Sequence, residues 1–133
     1  MNSECPCGSG VKYKKCCHKF HKGAKPSSAL ELMKSRYCAY SIGNAKYIIN
    51  TTHPNNSDFS LDKKAWAESI MEFCNSTDFL SLEILEVENK IDEAFVRFKA
   101  SFSNTYMIEK SRFLKVNNSW LYESGVYNMQ KEK

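Results

Sequence analysis

Four cysteines near the start of the sequence have the type and spacing of metal ligands. Cys5, Cys7, Cys16 and Cys17 lie close together, and His18 follows directly. Four sulfur ligands, or three with one imidazole, close a tetrahedron around zinc and predict a structural site, because a catalytic site keeps one position open. The fourth ligand is predicted to be Cys17, with His18 as the alternative. Zinc is the expected metal, and iron is a second possibility for thiolate ligands.

The backbone between these cysteines has the residues that a tight turn needs. Adjacent side chains on an extended strand diverge, so a Cys-x-Cys pair can bind one metal only if the chain turns. Pro6 restricts φ, whereas Gly8 and Gly10 allow conformations that other residues avoid. The first 22 residues have few large apolar side chains, and we expect them to fold only with the metal.

The remaining cysteines and the composition favour a metal site over a disulfide scaffold. The sequence shows no apolar leader and no membrane span, so a cytoplasmic location is expected, where thiols stay reduced. Cys38 and Cys74 stand apart within helix-like patterns and are expected to be small buried hydrophobes. Redox switching at Cys16 and Cys17 is a weaker hypothesis, because zinc-bound thiolates are not free nucleophiles.

Positive charge is concentrated around the cysteines. The chain has 133 residues and a net charge of +4, and residues 1–30 contain six lysines against one glutamate. Lys12, Lys14, Lys15 and Lys19 are therefore candidate partner-binding residues, since a basic patch attracts RNA, anionic lipid or an acidic protein face. The alternative is a solvated lysine-rich surface with no partner.

In the rest of the chain, apolar residues first recur with the spacing of a helix and, after Asn75, at every second position, as in a strand. Helices before antiparallel strands predict an α+β fold. Helices are predicted from a cap at Ser27 or Ser28 to Gly43, over residues 45–51, and after a cap at Ser60 or Asp62. Strands are predicted near residues 80–84 and over residues 94–102, 106–116 and 120–127, with a hairpin turn at Asn117 and Asn118.

The cysteine-rich segment resembles a known zinc motif. Residues 5–18 (CPCGSGVKYKKCCH) are similar to the SEC-C motif, which is also found at the carboxyl end of the SecA preprotein translocase ATPase. In SecA the last two ligands are a Cys-His pair, whereas this chain has Cys16 and Cys17 there. The SecA motif is associated with the chaperone SecB and the ribosome, so the resemblance implies a protein or ribosomal partner.

The remaining segments resemble the YchJ family, in which a SEC-C motif is joined to a domain of the nuclear transport factor 2-like fold. The similar segments are residues 32–40 (LMKSRYCAY), 47–54 (YIINTTHP), 109–113 (EKSRF) and 120–125 (WLYESG). The resemblance implies a bent sheet that wraps around helices as a cone. The expected division is a SEC-C module at 1–22, a linker at 23–28, the cone-shaped domain at 29–128 and a tail at 129–133.

The interior of such a cone can form a pocket. The candidate pocket residues are Tyr37, Tyr40, His53, Glu109 and Arg112. Strand alternation places Glu109 and Arg112 on opposite faces, so they do not form an acid/base pair. We expect Glu109 to be a structural ion-pair partner of Arg36, and His53 either to stabilise a loop or to be simply exposed.

Two functions agree with these patterns. The favoured hypothesis is a cytoplasmic zinc-binding adaptor whose basic SEC-C module docks onto a protein or ribosomal partner. The alternative is a small-molecule binding protein or enzyme that uses the cone interior, and a cone plugged by Phe98, Phe102 and Trp120 would exclude it. An enzyme is the less expected outcome, because no Ser-His-Asp order, phosphate loop or paired carboxylate motif rises above chance.

Overall fold

The computed structural model describes residues 3–131 and has four α-helices followed by a four-stranded sheet. After a 3₁₀ turn at Tyr13–Lys15, the helices are α1 (His18–His21), α2 (Ala29–Ile42), α3 (Ala45–Asn50) and α4 (Lys63–Asn75). The strands are β1 (Ser81–Asn89), β2 (Glu93–Ser101), β3 (Thr105–Val116) and β4 (Ser119–Lys131). This order confirms the predicted α+β class.

Helix α2 begins and ends at residues that the sequence marks. The Ser28 hydroxyl accepts a hydrogen bond from the Glu31 backbone N–H at 3.1 Å, and the Glu31 carboxylate accepts one from the Ser27 N–H at 2.8 Å. These bonds satisfy N–H groups that have no partner within the helix. Gly43 ends the helix with φ of 77°, a conformation that glycine adopts without strain.

The sheet is an antiparallel meander in the order β1-β2-β3-β4. On β2, Ala94, Val96, Phe98 and Ala100 are buried, as their two-residue period predicts. The β2–β3 register pairs Phe98 with Glu109 and therefore places the Glu109 side chain on the same inner face. The structure thus puts a carboxylate among the apolar side chains of the sheet.

The β3–β4 pairing contains an irregularity next to this carboxylate. Ser111 pairs with Gly125, whereas Phe113 pairs with Tyr122, so the register shifts between Arg112 and Phe113. The hairpin turn at 117–118 uses two asparagines with φ of 49° and 68°, a left-handed conformation that asparagine tolerates. Strand β4 continues to residue 131 and overlaps the expected tail, and residues 132–133 lie outside the described part.

The helices pack on the inner face of the sheet, and α2 is buried around most of its circumference. Its buried side chains are Ala29, Leu32, Met33, Ser35, Arg36, Tyr37, Cys38 and Ala39. In residues 3–131, no helix combines the length and apolar character needed to cross a bilayer. The expected division into module, linker, domain and tail stays a prediction.

Candidate metal centre and interior cavity

The structure brings the four predicted cysteine ligands together. The sulfurs of Cys5, Cys7, Cys16 and Cys17 all lie within 4.8 Å of one another, and the Cys7 and Cys16 sulfurs are 3.6 Å apart. A tetrahedron with zinc–sulfur bonds of about 2.3 Å requires sulfur–sulfur distances of about 3.8 Å. The donor set and its spacing therefore fit a tetrahedral metal ion.

Tight turns hold these sulfurs in place. The Cys5 N–H donates to the Val11 carbonyl at 2.8 Å, and the Gly8 N–H donates to the Cys5 carbonyl at 3.1 Å. Gly8 has φ of 84°, so the turn after Cys7 needs a glycine there. Ser9 lies inside the turn, with its hydroxyl 3.1 Å from the Cys16 sulfur. A hydroxyl at that distance can orient the thiolate.

Burial and hydrogen bonds among the sulfurs shift the cysteine pKa values in different directions. Burial raises the pKa of Cys5 to about 12, whereas a hydrogen bond from Cys17 lowers the pKa of Cys7 to about 4. A hydrogen bond to Cys38 raises the pKa of Cys17 above its usual range. A metal that binds all four sulfurs must therefore displace the protons of Cys5 and Cys17, whose pKa values are raised.

The structure places His18 outside the four-sulfur cluster. Its ring packs against Tyr13, with ring centroids 5.3 Å apart. Cys38 of α2, by contrast, is fully buried against the cluster, with its sulfur 3.7 Å from that of Cys5. The sequence gives no sign of this contact, because the two cysteines are separated by 33 positions and meet only through the fold.

A polar chain of contacts joins the N-terminal segment to α2. The His21 Nε2–H donates to the Ser35 carbonyl at 2.9 Å, so its Nδ1 accepts from the Tyr13 hydroxyl at 2.8 Å. The Ser35 hydroxyl lies 2.6 Å from the Tyr47 hydroxyl. Burial lowers the pKa of His21, which keeps the imidazole neutral and able to both donate and accept. His21 was not among the predicted site residues.

The four lysines proposed for partner binding are exposed in this segment. Lys12, Lys14, Lys15 and Lys19 carry no ion pair among the described residues. Lys19 extends over the Phe20 ring, with its Nζ 5.0 Å from the ring centroid. The positive charge is therefore available at the surface around the cysteine cluster.

The inner face of the sheet and the helices line a cavity of about 760 Å³ that is open to solvent, and this volume lies within the size range of small-molecule sites. Ten aromatic residues line it: Tyr37, Tyr40, Trp66, Phe73, Phe79, Phe98, Phe102, Phe113, Tyr122 and Tyr127. Phe98 and Phe102 line the space without filling it, and Trp120 is not part of the lining. The plug that would exclude a pocket is therefore not formed by these three residues.

A polar cluster lies in this apolar wall. The Glu109 Oε2 accepts hydrogen bonds from the Ser111 hydroxyl at 2.5 Å and from the Tyr122 hydroxyl at 3.1 Å. Both bonds end on the same oxygen, and Oε1 has no hydrogen-bond partner among the described residues. Burial and the neighbouring carboxylate raise the pKa of Tyr122, so its hydroxyl stays protonated and donates.

Gly125 makes room for this cluster. A Cβ atom at this position would collide with the Glu109 carboxylate and would lie 2.6 Å from the Tyr122 hydroxyl. The φ of this glycine is not positive, so its role is to leave space and not to permit a special backbone conformation. The glycine therefore leaves room for the carboxylate beside β4.

Arg36 also lines the cavity but does not form the expected ion pair with Glu109. Its Nη1 donates to the Ile48 carbonyl at 3.1 Å and to the hydroxyls of Thr51 and Thr52 at 2.8 and 3.1 Å. Its guanidinium carbon lies 4.6 Å from the centroid of the Tyr122 ring, a cation–π distance. The expectation of a direct Arg36–Glu109 ion pair is therefore wrong.

The five predicted pocket residues separate into two groups. Tyr37, Tyr40 and Glu109 line the cavity, whereas His53 and Arg112 do not. The His53 Nδ1 accepts from the Asn55 N–H at 3.0 Å within its own loop. Arg112 lies on the outer face of the sheet, where it pairs with Glu93 and Glu123 at 2.6 and 3.2 Å. Strand alternation explains the placement of Arg112.

Comparison with family models identifies both parts of the chain. Residues 28–125 match the model described as "YchJ, middle NTF2-like domain", and residues 1–19 match the SEC-C motif. The UPF0225 protein YchJ of Shigella dysenteriae serotype 1 (strain Sd197) is 39% identical over 132 residues. That alignment covers 94% of this chain and 84% of the relative.

Several solved structures are similar to this chain. A SEC-C motif-containing protein from Rhodopseudomonas palustris has a TM-score of 0.77 and 28% identity, covering 95% of this chain and 98% of that one. A SEC-C motif-containing protein from Psychrobacter arcticus has a TM-score of 0.77 and 29% identity, covering 90% and 80%. An NTF-2 like protein of unknown function from Silicibacter pomeroyi shares the fold, with a TM-score of 0.60 and 16% identity. That match covers 85% of this chain and 98% of that one.

Replacing Gly125 tests the packing of the polar cluster. Gly125→Ala should displace the Glu109 carboxylate and lower the free energy of unfolding by about 1–3 kcal/mol, measured by urea denaturation. Glu109→Ala removes the carboxylate that the new methyl group meets, so Gly125→Ala should cost less in that background. Equal costs in the two backgrounds would show that the close approach does not govern this site.

Proposed function

Since this chain belongs to the YchJ family, whose members join a SEC-C motif to an NTF2-like domain, we propose that it is a small-molecule binding protein whose N-terminal module is held by zinc. The observation that carries this proposal is the cavity of about 760 Å³ with the Glu109 cluster in its wall. A mostly apolar cavity with a few convergent polar groups is the usual form of a ligand site. No reaction is assigned to it.

The lining favours a ligand with a flat apolar body and a hydrogen-bond donor. Tyr37, Phe79 and Phe102 belong to a run of edge-to-face aromatic contacts, with the Tyr37–Phe79 and Phe79–Phe102 centroids 5.9 and 5.7 Å apart. Glu109 Oε1 supplies an acceptor that has no hydrogen-bond partner in the described part of the chain. Since Arg36 Nη1 already has three acceptors, the unmet capacity of the carboxylate is the stronger guide to the ligand.

The zinc site has a structural role in this proposal. Four sulfurs as ligands leave no position for a substrate, so the ion would stabilise the fold of residues 3–22 and would not activate water. Cys5, Cys7, Cys16 and Cys17 would bind it, with His18 outside the ligand set. None of the six cysteines is joined in a disulfide, and we propose a cytoplasmic location because cysteines stay reduced in such a compartment.

A second candidate function uses the exposed lysines. The observation in its favour is that Lys12, Lys14, Lys15 and Lys19 are exposed on the segment that the metal would order and form no ion pair within residues 3–131. A rigid basic surface can dock onto an acidic protein or a ribosomal partner. An adaptor of this kind does not require the cavity, so the two functions are separable by variants.

The metal prediction distinguishes Cys17 from His18. Protein purified without added zinc should contain one zinc ion per chain, measured by elemental analysis. His18→Ala should still contain one zinc ion per chain. Cys17→Ala should contain none, because a tetrahedral site does not survive the loss of one of its four ligands. Loss of zinc in His18→Ala with retention in Cys17→Ala would reverse the assignment.

The cavity prediction compares two ligands with one ring system. 2-Naphthol, which has a hydroxyl donor, should bind more tightly than 2-methoxynaphthalene in isothermal titration calorimetry. Glu109→Leu should weaken 2-naphthol binding by roughly 10- to 100-fold, since a hydrogen bond to a charged group contributes about 1.5–3 kcal/mol. Glu93→Leu, on the outer face, is the control and should change neither affinity. Failure of both probes to bind the wild-type protein would contradict a ligand site for such molecules.

The adaptor prediction uses matched charge reversals. Co-sedimentation with purified ribosomes should decrease steeply as salt rises from about 50 to about 200 mM, because lysine contacts release counterions from phosphates. Lys14→Glu combined with Lys15→Glu should abolish co-sedimentation. The same change at Lys63 and Lys64 of α4, which are also exposed, should have little effect. Binding that ignores both salt and the first pair of substitutions would count against this function.

A further inference from the structure

A fifth cysteine lies against the proposed metal centre. Cys38 belongs to α2, is fully buried, and has its sulfur 3.7 Å from the Cys5 sulfur. It also hydrogen-bonds with Cys17. The two sulfurs that it contacts are both proposed ligands, and Cys38 itself lies outside the set of four sulfurs that are mutually within 4.8 Å.

The negative charge of a zinc–thiolate centre explains why a fifth cysteine would lie against it. Zinc with four thiolates carries a net charge of about −2, and three of the four ligand residues are at most 5% exposed. Buried charge requires hydrogen-bond donors in place of water. Most of the donors come from the N-terminal segment itself, including the backbone N–H groups of Cys7 and Cys17 near Cys5 and the Ser9 hydroxyl near Cys16. Cys38 adds a contact from the cavity-bearing domain. A protonated Cys5 donates to the Cys38 sulfur, but a metal-bound Cys5 thiolate has no proton, so the same contact then needs the Cys38 S–H as donor.

We infer that Cys38 is a positioning residue of the metal centre, whose single S–H donates to the metal-bound thiolate of Cys5 or of Cys17 and couples metal binding to the packing of α2. The inference rests on the metal site proposed above. It assigns no metal–sulfur bond to Cys38, because the four-sulfur tetrahedron is complete without it. The neighbours of Cys38 on α2, Arg36 and Tyr37, line the cavity, so this helix contacts both sites.

The test uses the full-length protein loaded with Co²⁺, whose absorption reports the number of thiolate ligands. Cys38→Ala should keep one metal per chain and the four-thiolate spectrum, but should lower the affinity in chelator competition by roughly 10- to 100-fold, as is typical when a hydrogen-bond partner of a ligand is lost. Cys38→Ser restores a donor and should recover part of the affinity. Cys74→Ala, which removes a cysteine outside the site, is the control.

Each outcome decides a separate point. Wild-type affinity in Cys38→Ala would overturn the inference. Loss of a thiolate band in that variant would also overturn it, because Cys38 would then be a ligand itself. If the wild-type protein binds neither Zn²⁺ nor Co²⁺, the proposed metal centre fails. Circular dichroism shows whether each variant is folded, and Cys38→Ser provides the comparison if Cys38→Ala does not fold.

Discussion

A helix that is buried around most of its circumference must find a partner for every polar group that it buries, and α2 is under this constraint. The Ser35 hydroxyl forms hydrogen bonds with the Leu32 carbonyl and the Tyr47 hydroxyl. Arg36 donates to the Ile48 carbonyl and to two threonine hydroxyls. The Cys38 sulfur contacts cysteine sulfurs of the cluster. Unpaired, each buried group would cost about 1–3 kcal/mol. The α3 segment and the cysteine cluster are therefore held against α2 by directional contacts as well as by apolar packing.

This constraint places the cysteine cluster and the cavity on either side of one helix. Cys38 faces the sulfurs, whereas Tyr37 and Arg36 face the cavity. The N-terminal segment is joined to α2 by the His21–Ser35 hydrogen bond as well as by sulfur. The segment is therefore an integral part of the structure as described, although its own apolar content is too small to form a core without help.

The parts that the sequence predicts are those governed by local chemistry. Ser28, Gly43 and Asp62 mark helix ends through bonds to residues at most four positions away, and the alternation on β2 reveals its buried face. The cysteine ligands are close in sequence, so their clustering follows from spacing. Cys38, Tyr122 and Gly125 escape prediction because their roles depend on strand register and helix packing. Arg36 escapes for another reason: the carbonyl and hydroxyls at the end of α3 lie nearer than any carboxylate.

The close approach of Gly125 to Glu109 also limits the order in which this protein can change during evolution. A side chain at 125 collides with the acid, whereas loss of the acid first leaves space that a later substitution can fill. Lineages that retain the carboxylate should thus retain the glycine, and drift at 125 should follow drift at 109. Substitutions at these two positions should therefore occur in a fixed order, and covariation between positions 109 and 125 would record it.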